Sequence, residues 1–255
     1  MTIQKPYKRT YRQFKDGEYT EGGRSKYIEH IKFAEAPEKY IRAFLLILKD
    51  LQELFDYVEP SDKNLKCYSY RIHSLLVRTC IEIETNFQAI LMENEYKKKK
   101  SDLNMHDYIK IEKSHFLSKY KIKIPNWDGS KSIHKPFSEW KSFFTDSEYK
   151  PLTWYKIFTE TKHNRHDAFK KANFGTLINA ICGLLVILSA QFGTNDFVQR
   201  NEIMEYNIGP NDGMKTGIGE LFRVQFPKNI PDDLMYDFNW EELKNDENPF
   251  QNFDY

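Results

Sequence analysis

The chain has 255 residues, of which 40% are hydrophobic and 29% charged, as expected for a globular protein with a substantial core. A formal net charge of +1 argues against a protein that is basic throughout and coats nucleic acid, but it leaves room for a local basic groove. The three cysteines lack CxxC spacing, which argues against a disulfide framework or a zinc site. Because no apolar targeting segment stands near residue 1, the sequence predicts a cytoplasmic protein.

Charge is unevenly distributed along the sequence and suggests three parts. Residues 1–24 read as a basic polar arm in which aromatic residues alternate with lysines and arginines. Residues 25–195 read as a helical bundle domain, and residues 196–255 as an irregular acidic extension packed on it. The two charged ends are expected to be solvated tails, to attract one another, or, for the basic arm, to contact a polyanion such as RNA.

Two amphipathic helices are predicted at the start of the bundle. The first begins at Pro37 and stops before Pro60, with large apolar residues three and four positions apart. The second begins near Asn64 and carries a longer apolar stripe. Glu84 falls at the edge of that stripe, where a carboxylate is costly unless it meets a cation.

A further helix is predicted over residues 105–120, followed by an irregular strap at about 120–151. The strap is rich in Pro, Gly and Trp, and we expect it to pack its aromatic side chains on the bundle. Only the run Phe222–Phe226 is typical of a short strand. The pattern as a whole predicts an all-α fold, an antiparallel helical bundle with little or no sheet.

Two helices close the predicted bundle. The first presents Trp154, Phe158 and Phe169 near one stripe, and the second runs from about Asn173 to Phe192. The apolar part of the second helix is shorter than the ~20 residues that span a bilayer. We therefore expect a buried core helix and no membrane partner.

A cluster of cations and imidazoles at residues 162–166 precedes this apolar helix. A helical wheel turns Lys162 and Arg165 inward, toward Glu84 as a counter-ion. One interpretation is catalytic: Arg165 contacts phosphate while His163 or His166 transfers a proton. The other is a structural ion network of Lys162, Asn164, Arg165 and Glu84 that fixes how two helices dock. No zinc-protease or paired-carboxylate motif is present, so no metal or cofactor is predicted.

A resemblance extends over residues 37–195. The long helix with RTCIEIETNFQAIL, the strap with PFSEW and the stretch WYKIFTETKHNRHDAFKKANFGTLINAICGLLVIL resemble the helical HEPN-type proteins (higher eukaryotes and prokaryotes nucleotide-binding) of bacteria. The resemblance implies a helical bundle that is often a homodimer. In active members it implies metal-independent RNA cleavage in toxin or phage-defence systems.

The resemblance leaves several functions open. Its usual catalytic signature is an arginine, four to six residues and then a histidine, whereas here Arg165 is followed at once by His166. Arg24 and His30 have the required spacing but lie outside the bundle. The chain is accordingly expected to be an endoribonuclease, a catalytically inactive module that binds RNA, a nucleotide or a partner protein, or a structural subunit of an assembly.

Overall fold

Helices dominate the architecture. The computed structural model describes residues 2–15, 19, 21–197 and 212–255, and of residues 21–24 it describes the backbone alone. The α-helices are α1 Pro37–Phe55, α2 Tyr70–Glu93, α3 Met105–Tyr108, α4 Glu112–His115, α5 Phe143–Asp146, α6 Thr153–His163, α7 Arg165–Ala168, α8 Phe174–Phe192 and α9 Trp240–Leu243. Short 3₁₀ segments are Glu21–Glu29, Asp62–Asn64, Lys100–Asp102, Ile109–Ile111, Leu117–Lys119, Ser138–Ser142, Phe169–Lys171 and Asp232–Leu234.

Helices α2 and α8 form the centre of the bundle, and α1 and α6 pack against both of them. The predicted start of α1 at Pro37 is confirmed, and so is the predicted α8, whose first turn is capped by Asn173. Among the described helices, α8 is the one long and apolar enough to cross a bilayer, yet 89% of its apolar window is buried inside the protein. It is therefore a core helix, as predicted.

A small antiparallel sheet corrects the expectation of an all-α fold with little or no sheet. Its strands are β1 Lys121–Lys123, β2 Ile133–His134, β3 Lys215–Thr216 and β4 Arg223–Gln225, in the order β2-β1-β4-β3. The central residues of β1 and β4, Ile122 and Val224, lie opposite one another and are fully buried. The strand-like run at 222–226 is thus confirmed, and its main partner comes from the predicted strap.

The helix predicted over residues 105–120 is broken into short pieces. Asn104 caps α3 through a reciprocal capping box with Asp107, and α4 ends at His115, before Phe116, whose φ of 52° is left-handed. A left-handed residue cannot continue a right-handed helix. The chain then turns through Leu117–Lys119 into β1.

The basic arm is partly built into the core, which corrects the view of a solvated tail. Arg9 and Arg12 have side chains that are essentially inaccessible, and Tyr11 and Phe14 are buried beside them. Main-chain hydrogen bonds join this segment to the acidic extension, for example from Lys8 N to Gln251 O at 3.1 Å. These two arginines are therefore not free to contact RNA.

Candidate nucleic-acid interface

Asn164 interrupts the helix on which the cation cluster was predicted to lie. Its backbone, at φ −136° and ψ 65°, ends α6 at His163 and separates it from α7. The Asn164 side chain donates to Asp167 Oδ2 at 2.7 Å, across the start of α7. Since a helical wheel assumes constant rotation per residue, its phase is lost at this break.

The prediction that Lys162 and Arg165 face inward toward Glu84 is wrong. Lys162, His163, Asn164, Arg165 and His166 are all exposed. Glu84 is only partly buried, and its Oε1 accepts a hydrogen bond of 2.7 Å from the Tyr155 hydroxyl instead of meeting a cation. This hydrogen bond and the negative charge of Glu84 add to the effect of burial, and together they raise the pKa of Tyr155.

The structure brings Arg165 to a group of accessible aromatic rings. The side chains of this aromatic–cationic patch come from the residues around the start of α2, from the first residue of α7 and from the segment that links α7 to α8. They are Tyr68, Tyr70, His73, Arg165, Phe169 and Lys170. Tyr70 and Phe169 lie 4.7 Å apart between ring centroids, and Tyr68 meets the same phenylalanine edge-on at 5.9 Å. Tyr70 is 69% exposed and Tyr68 43% exposed.

Two cations lie over the tyrosine rings of the patch. The Arg165 guanidinium carbon is 5.9 Å from the centroid of Tyr70, and the Lys170 ammonium is 5.9 Å from that of Tyr68. Both distances are within the range of cation–π attraction. Each exposed ring therefore has a positive charge beside it.

Local capping places the two tyrosines at the start of α2. The Ser69 hydroxyl accepts a hydrogen bond of 3.2 Å from Ile72 N, the usual way in which an N-cap serine fixes the first turn. Because Ser69 stands between them, Tyr68 lies before the cap and Tyr70 after it. The other side of the patch is fixed by main-chain contact: Phe174 N donates to Cys67 O at 2.7 Å.

Arg165 influences His73 electrostatically. Burial is the main cause that lowers the pKa of His73, and the positive charge of Arg165 lowers it further. His73 also packs against Phe169, with centroids 5.6 Å apart. Near neutral pH its imidazole is thus held in the uncharged form, and the positive charge of the patch comes from Arg165 and Lys170.

The patch contains residues that the sequence reasoning overlooked. Tyr68, Tyr70 and His73 lie in the stretch predicted only as the beginning of an amphipathic helix, although the triplet Tyr-Ser-Tyr has a helix-capping serine between two large aromatic residues. Within the described ranges, no group of three or more His, Cys, Asp or Glu side chains is arranged to hold a metal ion.

The patch combines exposed aromatic rings with unburied cations. Rings offer stacking surfaces that accept any base, and adjacent cations offer contacts to phosphate. Comparison with known proteins adds no family assignment: no protein-family model, curated protein or solved structure matches this chain. The HEPN-like resemblance therefore stays a prediction.

Proposed function

We propose that this protein binds single-stranded RNA through the aromatic–cationic patch. The observation that supports this function best is the accessible Tyr70–Phe169 pair with Arg165 beside it. Base–aromatic stacking contributes roughly 1–3 kcal/mol per base, and it requires only an exposed ring face. The small net charge of +1 agrees with a binding surface confined to one region.

Binding is favoured over cleavage by the state of the two histidines predicted to be catalytic. His163 and His166 are exposed, and in the part of the chain that the structure describes no hydrogen bond orients either ring. A general base or acid is normally held toward its substrate by a neighbouring group. Endoribonuclease activity by Arg165, His166 and His163 thus remains a prediction from the cation cluster and the resemblance. A homodimer and a role in defence remain predictions from the resemblance, and a cytoplasmic location remains a prediction from the sequence near residue 1.

The binding experiment uses the full chain and a fluorescent, unstructured RNA of about 12 nucleotides, within the range of site sizes for single-strand binders. We expect Tyr70→Ala to weaken binding roughly 5- to 150-fold through the loss of stacking. Arg165→Ala is expected to reduce the slope of log K against log salt by about 0.7, the value for one phosphate contact to a single strand. Fluorescence anisotropy at several salt concentrations measures both effects.

Matched controls come from exposed side chains elsewhere. Tyr57 is 76% exposed and Arg42 is exposed on α1, so Tyr57→Ala and Arg42→Ala remove the same chemistry outside the patch. The proposal is contradicted if Tyr70→Ala and Arg165→Ala bind as well as these controls. The same RNA, run on a denaturing gel with wild-type protein and His166→Ala, shows in addition whether cleavage occurs and whether that imidazole is needed.

A further inference from the structure

A cavity of about 720 Å³ opens next to the patch. It is bounded by the loop around Lys131–Glu139, the first turn of α6 and the first two turns of α8. Its walls include the apolar side chains of Ile133 and Ile157. The space is large enough for a nucleotide-sized ligand, since ligand sites usually measure about 300–1,000 Å³.

The charge around this cavity is positive. Lys66, Lys131 and Lys135 lie on its lining and are exposed, and none forms a salt bridge with a residue that the structure describes. Glu139 is the acidic residue among the described lining residues, and its carboxylate is already engaged by Thr153 N at 3.3 Å and by the Ser138 hydroxyl at 3.2 Å. Three ammonium groups without a paired carboxylate favour a ligand of concentrated negative charge.

His134 adds an independent sign of a ligand. His134 lines the cavity and is only 7% exposed, and one of its ring nitrogens, Nδ1, lies 3.1 Å from Asn179 Oδ1. The other, Nε2, is buried and has no hydrogen-bond partner in the described part of the chain. Buried polar atoms are nearly always satisfied, so a ligand atom or a water molecule is expected beside it.

The cavity and the patch share the same two chain segments. Lys66 lines the cavity and Tyr68 belongs to the patch, which limits their Cα separation to about 8 Å. Phe169 and Lys170 of the patch similarly precede Asn173 and Gly175 of the cavity wall. The Gly175 N–H donates to Leu65 O at 2.9 Å and holds the two segments together. An RNA strand bound to the patch therefore has only a short distance to cross before its end reaches the cavity.

We infer that the cavity receives the terminal nucleotide of a bound RNA strand and that its lysines recognise a terminal phosphate. This inference rests on the proposed RNA-binding function and adds a preference for one kind of strand end. A terminal phosphate monoester carries close to two negative charges at neutral pH, whereas each internal phosphate carries one. The terminal phosphate is therefore the part of the RNA strand that three unpaired ammonium groups attract most strongly.

The test compares three RNAs of one sequence: one with hydroxyl groups at both ends, one with a 5′-phosphate and one with a 3′-phosphate. Wild-type protein is expected to bind one of the phosphorylated RNAs about tenfold more tightly than the hydroxyl form, which corresponds to one charge-assisted contact. Lys131→Ala/Lys135→Ala should abolish this preference. Tyr70→Ala should weaken all three RNAs and keep the ratio between them.

A control double variant, Lys39→Ala/Lys49→Ala, removes two exposed lysines of α1 and should keep the preference. If wild-type protein binds all three RNAs with equal affinity, the terminal-phosphate inference is overturned while RNA binding stands. Equal loss of the preference in both double variants also overturns it, because the effect would then follow total charge. If no RNA binds, both the inference and the proposed function are refuted.

Discussion

The buried Arg9 network provides the sharpest test of how the N-terminal segment is held. The Arg9 side chain is fully buried and donates to Glu93 Oε1 at 2.6 Å, to Gln191 Oε1 at 2.7 Å and to Glu35 O at 2.9 Å. Its guanidinium also lies 4.5 Å from the ring centroid of Tyr40. One side chain thus joins the N-terminal segment to α1, α2 and α8.

We expect Arg9→Ala to lower the free energy of unfolding by about 3–5 kcal/mol. This is the usual cost of removing one member of a buried ion pair, because the buried Gln191 Oε1 loses its donor and Glu93, whose side chain is 20% exposed, regains water only in part. Arg9 has a left-handed φ of 54°, but alanine also carries a Cβ, so the backbone cost is common to both residues. Urea denaturation followed by circular dichroism measures the difference.

An exposed ion pair of the same chemistry serves as the control. Arg71 Nη1 lies 2.8 Å from Glu53 Oε1, with side chains 66% and 48% exposed. Exposed pairs contribute about 0–1 kcal/mol, so Arg71→Ala should change stability by no more than that. If Arg9→Ala and Arg71→Ala had the same effect within about 0.5 kcal/mol, the reasoning from burial would be refuted.

Two further predictions concern buried titratable groups. Burial raises the pKa of Glu112 from 4.5 to about 8, so the folded protein retains a proton that the unfolded chain has lost between those pH values. The free energy of unfolding should therefore fall as pH rises from about 4.5 to 8, by up to about 1.4 kcal/mol per pH unit. Urea titrations at several pH values should show that Glu112→Gln lacks this pH dependence. Equal slopes of unfolding free energy against pH in wild type and variant would contradict the prediction. Cys80 and Cys182 are buried, and burial raises the pKa of both thiols, whereas Cys67 is partly accessible. A thiol reagent followed by peptide mass spectrometry should label Cys67 first in native protein, and equal labelling of all three would disprove this.

The helices that were predicted well carry their signals locally. Pro37 stands at the first position of α1, and Asn173 accepts from Thr176 N at the start of α8, so both starts can be read from one residue and the apolar pattern after it. The burial of α8 can also be predicted from local sequence, because the run after Asn173 has apolar residues on every face of the helix.

The features that were missed depend on distant partners. The buried Arg9 side chain is held by Glu93 and Gln191, which lie 84 and 182 residues further along the chain. No local sequence pattern could therefore indicate its burial. The sheet likewise joins residues 121–123 to residues 223–225. The direction of Arg165 was wrongly predicted for a different reason: the helix breaks at Asn164, so the orientation of the side chains that follow cannot be extrapolated from α6.

The pairing of the N-terminal segment with the acidic extension also bears on how the chain folds. Ile3 and Phe14 form bridges with Tyr236, and the Tyr236 hydroxyl donates to Thr10 O at 3.0 Å across 226 residues. During synthesis, residues 3–14 are made more than 200 residues before Tyr236. The contacts of Ile3, Thr10 and Phe14 with Tyr236 can therefore form only after translation has passed Tyr236, and contacts of such long sequence separation are formed slowly. A ribosome-bound chain that stops before Tyr236 should consequently expose this aromatic segment to chaperones.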